Sequence, residues 1–594
     1  MVLLMDSLKS ISLIWETLAR QFHVTQPSID TYQRRLSAEG ASFVFDELTQ
    51  LGRSFDKCLI SGEVFSHEAR FGNVKGAPYP VFLSELFQRV LTEEHRIDPA
   101  CDPKYIKYIR QLCLLCYKTK DPDGRDTRLD ETVVDSFIHR DAVLCKENHA
   151  AVRASYRKAR GLIGRVLRGL DPLSITPRHG SGATSCRTQN QDKYHSFRFI
   201  PRLNAVFEYS EFFFYNQQHL CDELEKLTEA EVILEPCARL VAVPKDRRGP
   251  RLICCEPREF QFIQQGLMRL LYDRVEKHEL TGGFVNFRNQ DINRRAAYNA
   301  SISGGFATID MKDASDLVRM EHVEQLFPTN WVRAFDACRT RYVELPDGRI
   351  YGPLQKFAAM GSAVCFPVEA LCFWALLRAH LGVDVLVYGD DIIVPQSCAL
   401  QACSTLEAFG LKVNADKSCY RTPFRESCGG DYFCGVDVGY VKLRAVPDNT
   451  VETRVSTVDF ANEVSKVYGG SLGKAICSIV EDLYGPLFYS YSRSSLHGSV
   501  GSGPSTDPGS IAIEVSTSEA LPASNDVFFK RRYNRDLQRF EYLVPTVEVP
   551  ITNPRIAPRY HWGELLRKEC EKNHEHFDVG VYADPVCCTI KYRW

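Results

Sequence analysis

No stretch of about 18 consecutive apolar residues free of charge occurs in the sequence, so no membrane-spanning helix is expected. The opening MVLLMDSLKSISLIW is apolar but broken by Asp6 and Lys9. It lacks the basic leader and clean apolar core of a secretion signal, and an N-terminal helix is expected instead. Net charge is almost absent: 73 Lys and Arg against 75 Asp and Glu leave a formal −2. Bulk charge therefore does not announce a polyanion binder, and any such surface has to be a local basic stripe. Neither a Walker sequence nor a dinucleotide-binding glycine fingerprint is present. The 22 cysteines show no zinc-finger spacing. Cys113 and Cys116 sit in the helical pattern YIKYIRQLCLLCY, where buried thiols are expected, and Cys254-Cys255 and Cys587-Cys588 lack partner pairs. A reducing compartment fits this usage. Internal repeats are missing too.

What is present is an ordinary globular composition, 44% hydrophobic and 25% charged over 594 residues, enough for about three or four structural units. The chemistry is concentrated in two acidic stretches. Residues 383–394 read VDVLVYGDDIIV, in which two β-branched-rich runs, Val383–Val387 and Ile392–Val394, flank Tyr388-Gly389-Asp390-Asp391. This is the pattern of a hairpin with a tight turn. Two adjacent carboxylates at a hairpin tip repel unless something positive sits over them, and Mg²⁺ takes carboxylate oxygens readily. The second stretch, GFATIDMKDASDLV at 305–318, reads as an apolar strand ending at Asp310. Asp313, Ser315 and Asp316 follow in a turn leading into a helix. A strand-end carboxylate beside a hairpin carrying two more makes a cage for two metal ions. Two ions about 3.5–4 Å apart can stabilise both the attacking and the leaving oxygen of a phosphoryl transfer.

Along the rest of the chain, helices are expected at 8–21, 42–60, 82–95, 105–118 and 149–168. The last carries Arg153, Arg157, Lys158, Arg160, Arg165 and Arg168 and faces either nucleic acid or solvent. A Pro, Gly and Ser-rich loop covers 171–195, where Arg178, His179 and the following GSG can offer positive charge and backbone N–H groups to phosphate. VAVPKDRRGPRLICCEP, 241–257, reads as a basic hairpin with Lys245, Arg247, Arg248 and Arg251 around Gly249-Pro250. Further elements are a helix at 259–278, a hairpin at 341–353 turning at Asp347-Gly348, and a helix gathering after Pro367 with Glu369 near its start. A helix at 398–409, a strand-turn segment bearing Lys417, and a hairpin at 432–443 follow. From 305 to 443 this order is compatible with an antiparallel sheet backed by helices. Helices at 457–467 and 471–484, a low-complexity loop at 490–509, strands at 511–517 and 539–549, and a polar helix near 563–573 complete the reading.

Taken together, TIDMKDASD, YGDD, VPKDRRGPRLICCEP, PRHGSGATS and FRESCGGDYFCGVDV are recognisable. The chain resembles the RNA-directed RNA polymerase, or replicase catalytic subunit, of positive-strand RNA bacteriophages, the Qbeta-like family, over about residues 170–445. The resemblance implies an α+β right-hand polymerase: a mostly helical N-terminal region at 1–170, fingers with the basic hairpin at 171–300, a catalytic palm at 301–445, and a thumb with the C-terminal region at 446–594. It assigns the metal ligands to Asp310, Asp390 and Asp391 and the general acid for pyrophosphate departure to Lys417. Recognition of the ribose falls to Asp316 or Ser315. Phosphate or template contacts fall to Lys245, Arg247, Arg248, Arg251 and Arg178. The family's third motif departs here, because Met360-Gly361 is followed by Ser362-Ala363-Val364-Cys365 instead of Asn-Gly, an aromatic and Thr. Cys365 is a poorer donor than Thr, so the sugar-side contact of this loop falls to Ser362, beside Gly361, or to another residue.

The implied activity is primer-independent, template-directed RNA synthesis with two Mg²⁺ ions, Mn²⁺ substituting, in the cytoplasm of an infected bacterial host. The implied partners are the viral RNA, nucleoside triphosphates, host elongation factors Tu and Ts, and the largest protein of the small ribosomal subunit. A reverse transcriptase is the competing enzyme, disfavoured because a bulky residue is expected where Ser315 and Asp316 stand. A non-catalytic RNA-binding or packaging protein would need no set of three carboxylates.

Overall fold

The computed structural model describes residues 2–120, 128–144, 153–187, 193–194, 197–214, 216–246, 249–448 and 451–485, with short strands at 489–490, 500–501, 531–534, 539–542, 544–548 and 589–593. Arg247, Arg248, the expected strand at 511–517 and the expected polar helix at 563–573 lie outside the described residues. The chain divides into two compact units, one comprising Met1–Gln21 and Leu443–Trp594, the other Phe22–Lys442.

In the first unit the helix Val2–Gln21 packs on Gly470–Tyr484, which in turn packs on Val451–Tyr468. Ile11, Ile14, Trp15 and Leu18 recur at helical spacing and are fully buried, as are Val458, Ala461, Val464, Ile476 and Val480. Ser10 Oγ donates to the Pro447 carbonyl at 3.1 Å, tying the two ends of the sequence into one unit.

The second unit is a mixed α and β assembly. Its strands are β1 (Cys237–Asp246), β2 (Gly249–Cys255), β3 (Phe306–Lys312), β4 (Tyr342–Glu344), β5 (Ile350–Tyr351) and β6 (Leu386–Tyr388). They continue with β7 (Asp391–Pro395), β8 (Lys412–Val413), β9 (Phe424–Ser427), β10 (Gly430–Phe433) and β11 (Val436–Asp437). One four-stranded sheet runs β6-β7-β3-β8 with every pair antiparallel. A second runs β2-β1-β4-β5, in which β1 and β4 are parallel. β9, β10 and β11 form a three-stranded meander that takes in the expected hairpin at 432–443.

The first sheet is held from behind by the helix Cys365–Leu381, which is apolar nearly all round and buried along most of its length. Such a helix belongs in a core. Its Phe373, Trp374 and Leu377 join Ile309, Val387, Ile392 and Val394 of the sheet in one cluster, and full burial of each such side chain contributes about 1.5–3 kcal/mol. The helix begins at Cys365, two residues before Pro367, because proline is tolerated throughout a first turn. It stops at Gly382, whose φ of 70° lets its N–H close on the Arg378 carbonyl.

The expected helix at 82–95 is reduced to Ser84–Phe87. Leu83 enters it in the left-handed region at φ 59°, and the chain leaves through i−3 turns, with Val90 N–H bonding Phe87 O. Phe82, Leu86 and Val90 are spaced like a helical face, yet turns bury all three.

Candidate active site

β3 lies between β7 and β8, and its register sets Asp310 directly opposite Asp391. Across β7, Asp391 also pairs with Tyr388, so Gly389-Asp390 is the two-residue turn of the β6–β7 hairpin. Gly389 has φ 60°, and a Cβ there would lie 2.2 Å from the Phe366 ring. Only glycine gives this turn both its handedness and its room. Three carboxylates from sequence positions 80 residues apart thus gather at one end of one sheet, with Asp390 exposed at the tip and Asp310 and Asp391 half-buried.

Each half-buried carboxylate is fixed by neighbours. Asp310 Oδ2 accepts from Asn414 Nδ2 at 2.7 Å, and Lys417 Nζ stands 3.7 Å from its Oδ1. The Asp310 backbone N–H donates to Ser418 Oγ at 3.2 Å, and its carbonyl accepts from Asn414 N at 2.9 Å. Asp391 Oδ2 accepts from the Cys428 backbone N–H at 3.2 Å. Burial pushes the Asp310 carboxyl above its ordinary range. Lys417 and Asn414 act against that push and Asp390 adds to it. Asp391 is pushed up to about 6, by burial first and then by the charge of Asp390. For Lys417, desolvation works against the ammonium, but Asp310 and then Glu426 outweigh it and its pKa is raised. Behind the hairpin, burial holds Glu369 far above the carboxylate range, with Asp390 and Asp316 contributing.

These are hard oxygen donors whose mutual repulsion a divalent cation relieves, and their chemistry fits Mg²⁺ or Mn²⁺. Among the described residues, no three His, Cys, Asp or Glu side chains are already closed into a metal-binding group.

A family model described as RNA replicase, beta-chain, matches residues 140–450, more than half of the chain. The chain belongs to this family. It is similar to the RNA-directed RNA polymerase subunit beta of Qbeta virus (strain MX1), 34% identical over 221 residues, 36% of this chain and 37% of that one. It is likewise similar to the RNA-directed RNA polymerase beta chain of Escherichia phage MS2, 32% identical over 212 residues, 35% of this chain and 38% of that one. The alignments thus span little more than a third of the length of either relative. A solved structure described as an RdRp complex is 11% identical with a TM-score of 0.34, over 56% of this chain and 33% of that one, a likeness that carries no argument.

The other positions singled out in this replicase-family chain fall in distinct places. Ser315 and Asp316 lie on the short helix Ala314–Leu317, entered through Asp313 in the left-handed region at φ 52°. Asp316 Oδ1 accepts from Lys356 Nζ at 2.9 Å. Gly361 has φ 121°, and a Cβ there would meet the Cys254 carbonyl at 2.1 Å. The loop Met360-Gly361-Ser362 is therefore pressed against β2, where Cys254 N–H donates to Met360 O at 2.8 Å. Ser362, the last residue of this loop, is buried. Lys245 on β1 and Arg251 on β2 are exposed on the hairpin, and Arg178 is exposed on a loop anchored by its N–H to the Phe262 carbonyl.

Asn414, Ser418, Cys428 and Lys356 escaped the sequence reading. Asn414 shares a turn with Lys417, and Asn in a turn beside a functional Lys was the one local signal. The Cys428 contact is made by a backbone N–H and left no signal at all.

Proposed function

We propose that the chain performs template-directed RNA synthesis from nucleoside triphosphates, replicating a phage RNA genome. Family membership supports this reading, and the single observation that carries it is the register that sets Asp310 against Asp391 with Asp390 in the adjoining turn. Two Mg²⁺ ions, or Mn²⁺ in their place, held by Asp310, Asp390 and Asp391 would polarise the attacking and leaving oxygens of nucleotidyl transfer.

The protein's own groups have separable tasks. Lys417, kept protonated beside Asp310, can hand a proton to departing pyrophosphate. Asp316, or its neighbour Ser315, meets the sugar, and Gly361 and Ser362 form the loop beside it. Lys245, Arg247, Arg248, Arg251 and Arg178 neutralise triphosphate or template phosphates, guanidinium groups doing so in bidentate fashion. The reading divides the chain into a helical N-terminal region, fingers at 171–300, palm at 301–445 and thumb at 446–594. It includes host elongation factors Tu and Ts and the largest small-subunit ribosomal protein as partners in the bacterial cytoplasm.

The test is incorporation of labelled ribonucleotide on an RNA template by the unaltered protein and by Asp390→Asn. A loss of about 10³-fold or more is expected, because preorganised charge dominates such chemistry. Equal incorporation by the two proteins would remove the metal assignment.

A further inference from the structure

Lys356 is a basic side chain, yet it is fully buried. A buried charge persists only with a partner, because taking it out of water unpaired costs several kcal/mol. Its partner is Asp316, whose Oδ1 accepts from Nζ at 2.9 Å. The same Nζ also lies over the Phe137 ring, 4.2 Å from its centroid.

The stem of Lys356 is equally constrained. Its backbone N–H donates to Asp141 Oδ1 at 3.1 Å. Fully buried Asp141 also accepts from the Gln355 N–H and, at 3.2 Å, from the Tyr351 hydroxyl. Arg319 and Lys356 form an antiparallel bridge, and Phe357 N–H donates to Val318 O at 2.7 Å. The segment just after the Asp316 helix and the segment carrying Lys356 are thus hydrogen-bonded to each other. Phe137, Arg140 and Asp141 all come from one helix, Glu131–Leu144. Arg140 Nη1 reaches the same place, 3.1 Å from Asp313 Oδ1 and 4.0 Å from Asp316 Oδ2.

We propose that Lys356, seated by Asp141 and Phe137, is the positioning residue that orients the Asp316 carboxylate for the ribose 2′-hydroxyl. This rests on the sugar-facing role given to Asp316 under the proposed function. Lys356 occupies Oδ1 and fixes the plane of the carboxylate. Oδ2, with Arg140 at ion-pair but not hydrogen-bond distance, keeps acceptor capacity for a hydroxyl. Without Lys356 the carboxylate rotates freely and pairs with Arg140, and the acceptor is lost to the sugar. A deoxyribonucleotide, which offers no hydroxyl there, has nothing to lose.

The experiment measures kcat/KM for ribo- and deoxyribonucleotide incorporation in four variants of the full chain: Asp316→Ala, Lys356→Met, Lys356→Arg and Arg140→Gln. For Lys356→Met the ribo-to-deoxy ratio should fall roughly tenfold, mainly through a higher KM for the ribonucleotide, because a site built to bind a hydroxyl discriminates through that bond. Lys356→Arg, which keeps the charge, should recover part of the ratio. Half-exposed Arg140→Gln, which carries little folding risk, should shift the ratio by about twofold. Asp316→Ala separates the two levels of the argument. An unchanged ratio there overturns the sugar-facing role of Asp316 and this proposal with it. A lowered ratio in Asp316→Ala together with an unchanged ratio in Lys356→Met overturns the proposal alone. An equal fall for both sugars in Lys356→Met would mark a purely structural lysine and also overturn it.

Discussion

The two four-stranded sheets of the larger unit carry opposite charge in opposite ways. In β6-β7-β3-β8 the acids are held still: Asn414, Ser418 and the Cys428 N–H fix Asp310 and Asp391, and burial has already raised both carboxyls. In β2-β1-β4-β5 the cations Lys245 and Arg251 stand exposed on a hairpin. Charge fixed in a partly desolvated site acts at full strength when the reaction needs it, whereas exposed charge is weakened by water and salt. The acids should therefore decide rate, and the cations should tune affinity.

The most severe way to break this contrast is Asp310→Asn. Nucleotide incorporation should fall by about 10³-fold or more, while thermal melting without metal stays level or rises, since a carboxyl strained by burial has been removed. A melting temperature that fell with the activity would instead make Asp310 a structural residue. Next in size is Gly389→Ala. The φ of 60° and the 2.2 Å approach of Phe366 force the turn to shift, and a shift of that kind near the chemistry should cost about 10–100-fold in kcat. On the other sheet, Lys245→Ala with Arg251→Ala should weaken RNA binding by about tenfold at low salt and much less at high salt, lowering the log–log salt slope by about one to two. A loss in kcat that ignored salt would place these cations with the acids.

The smallest effect belongs to a buried carboxyl just beyond β2. Glu256, at the end of β2, accepts from Thr340 Oγ1 and from Gln264 Nε2, whose Oε1 in turn accepts from Ala363 N–H. Burial raises this carboxyl to about 7. The folded protein then holds a proton that the unfolded chain releases in the ordinary carboxylate range. Stability falls as pH rises toward 7 and levels off above it, a loss of about 1 kcal/mol between pH 6 and 8. In Glu256→Gln, the fall in stability between pH 6 and 8, read from denaturant midpoints, should shrink by that amount, the remainder belonging to other raised carboxyls such as Asp391. Parallel pH profiles for the wild type and Glu256→Gln over the same interval would show that the carboxyl is not raised.

The sequence made the acidic sheet legible because its signals are local. The apolar run ending at Asp310, the β-branched runs around Gly389-Asp390, and, on the other sheet, Asp347-Gly348 each report on neighbours a few residues away. Pairings set by tertiary packing left no such trace. The parallel docking of β4 on β1 joins residues about a hundred positions apart, and Asp141 holds the 355–356 backbone across 215 residues. Lys356 carries no signal of its own in the sequence and is fully buried. The periodic apolar residues of 82–95 mark burial correctly but not helix, because turns with Leu83 at φ 59° bury the same side chains.

The central claim is that Asp310, Asp390 and Asp391 act as one cation-binding group. Titration of the metal-free protein with Mn²⁺, followed by electron paramagnetic resonance, tests it without reference to activity. The account predicts saturable Mn²⁺ binding by the unaltered chain that is lost in the folded Asp310→Asn, Asp390→Asn double variant. Equal Mn²⁺ binding by the two proteins would contradict it.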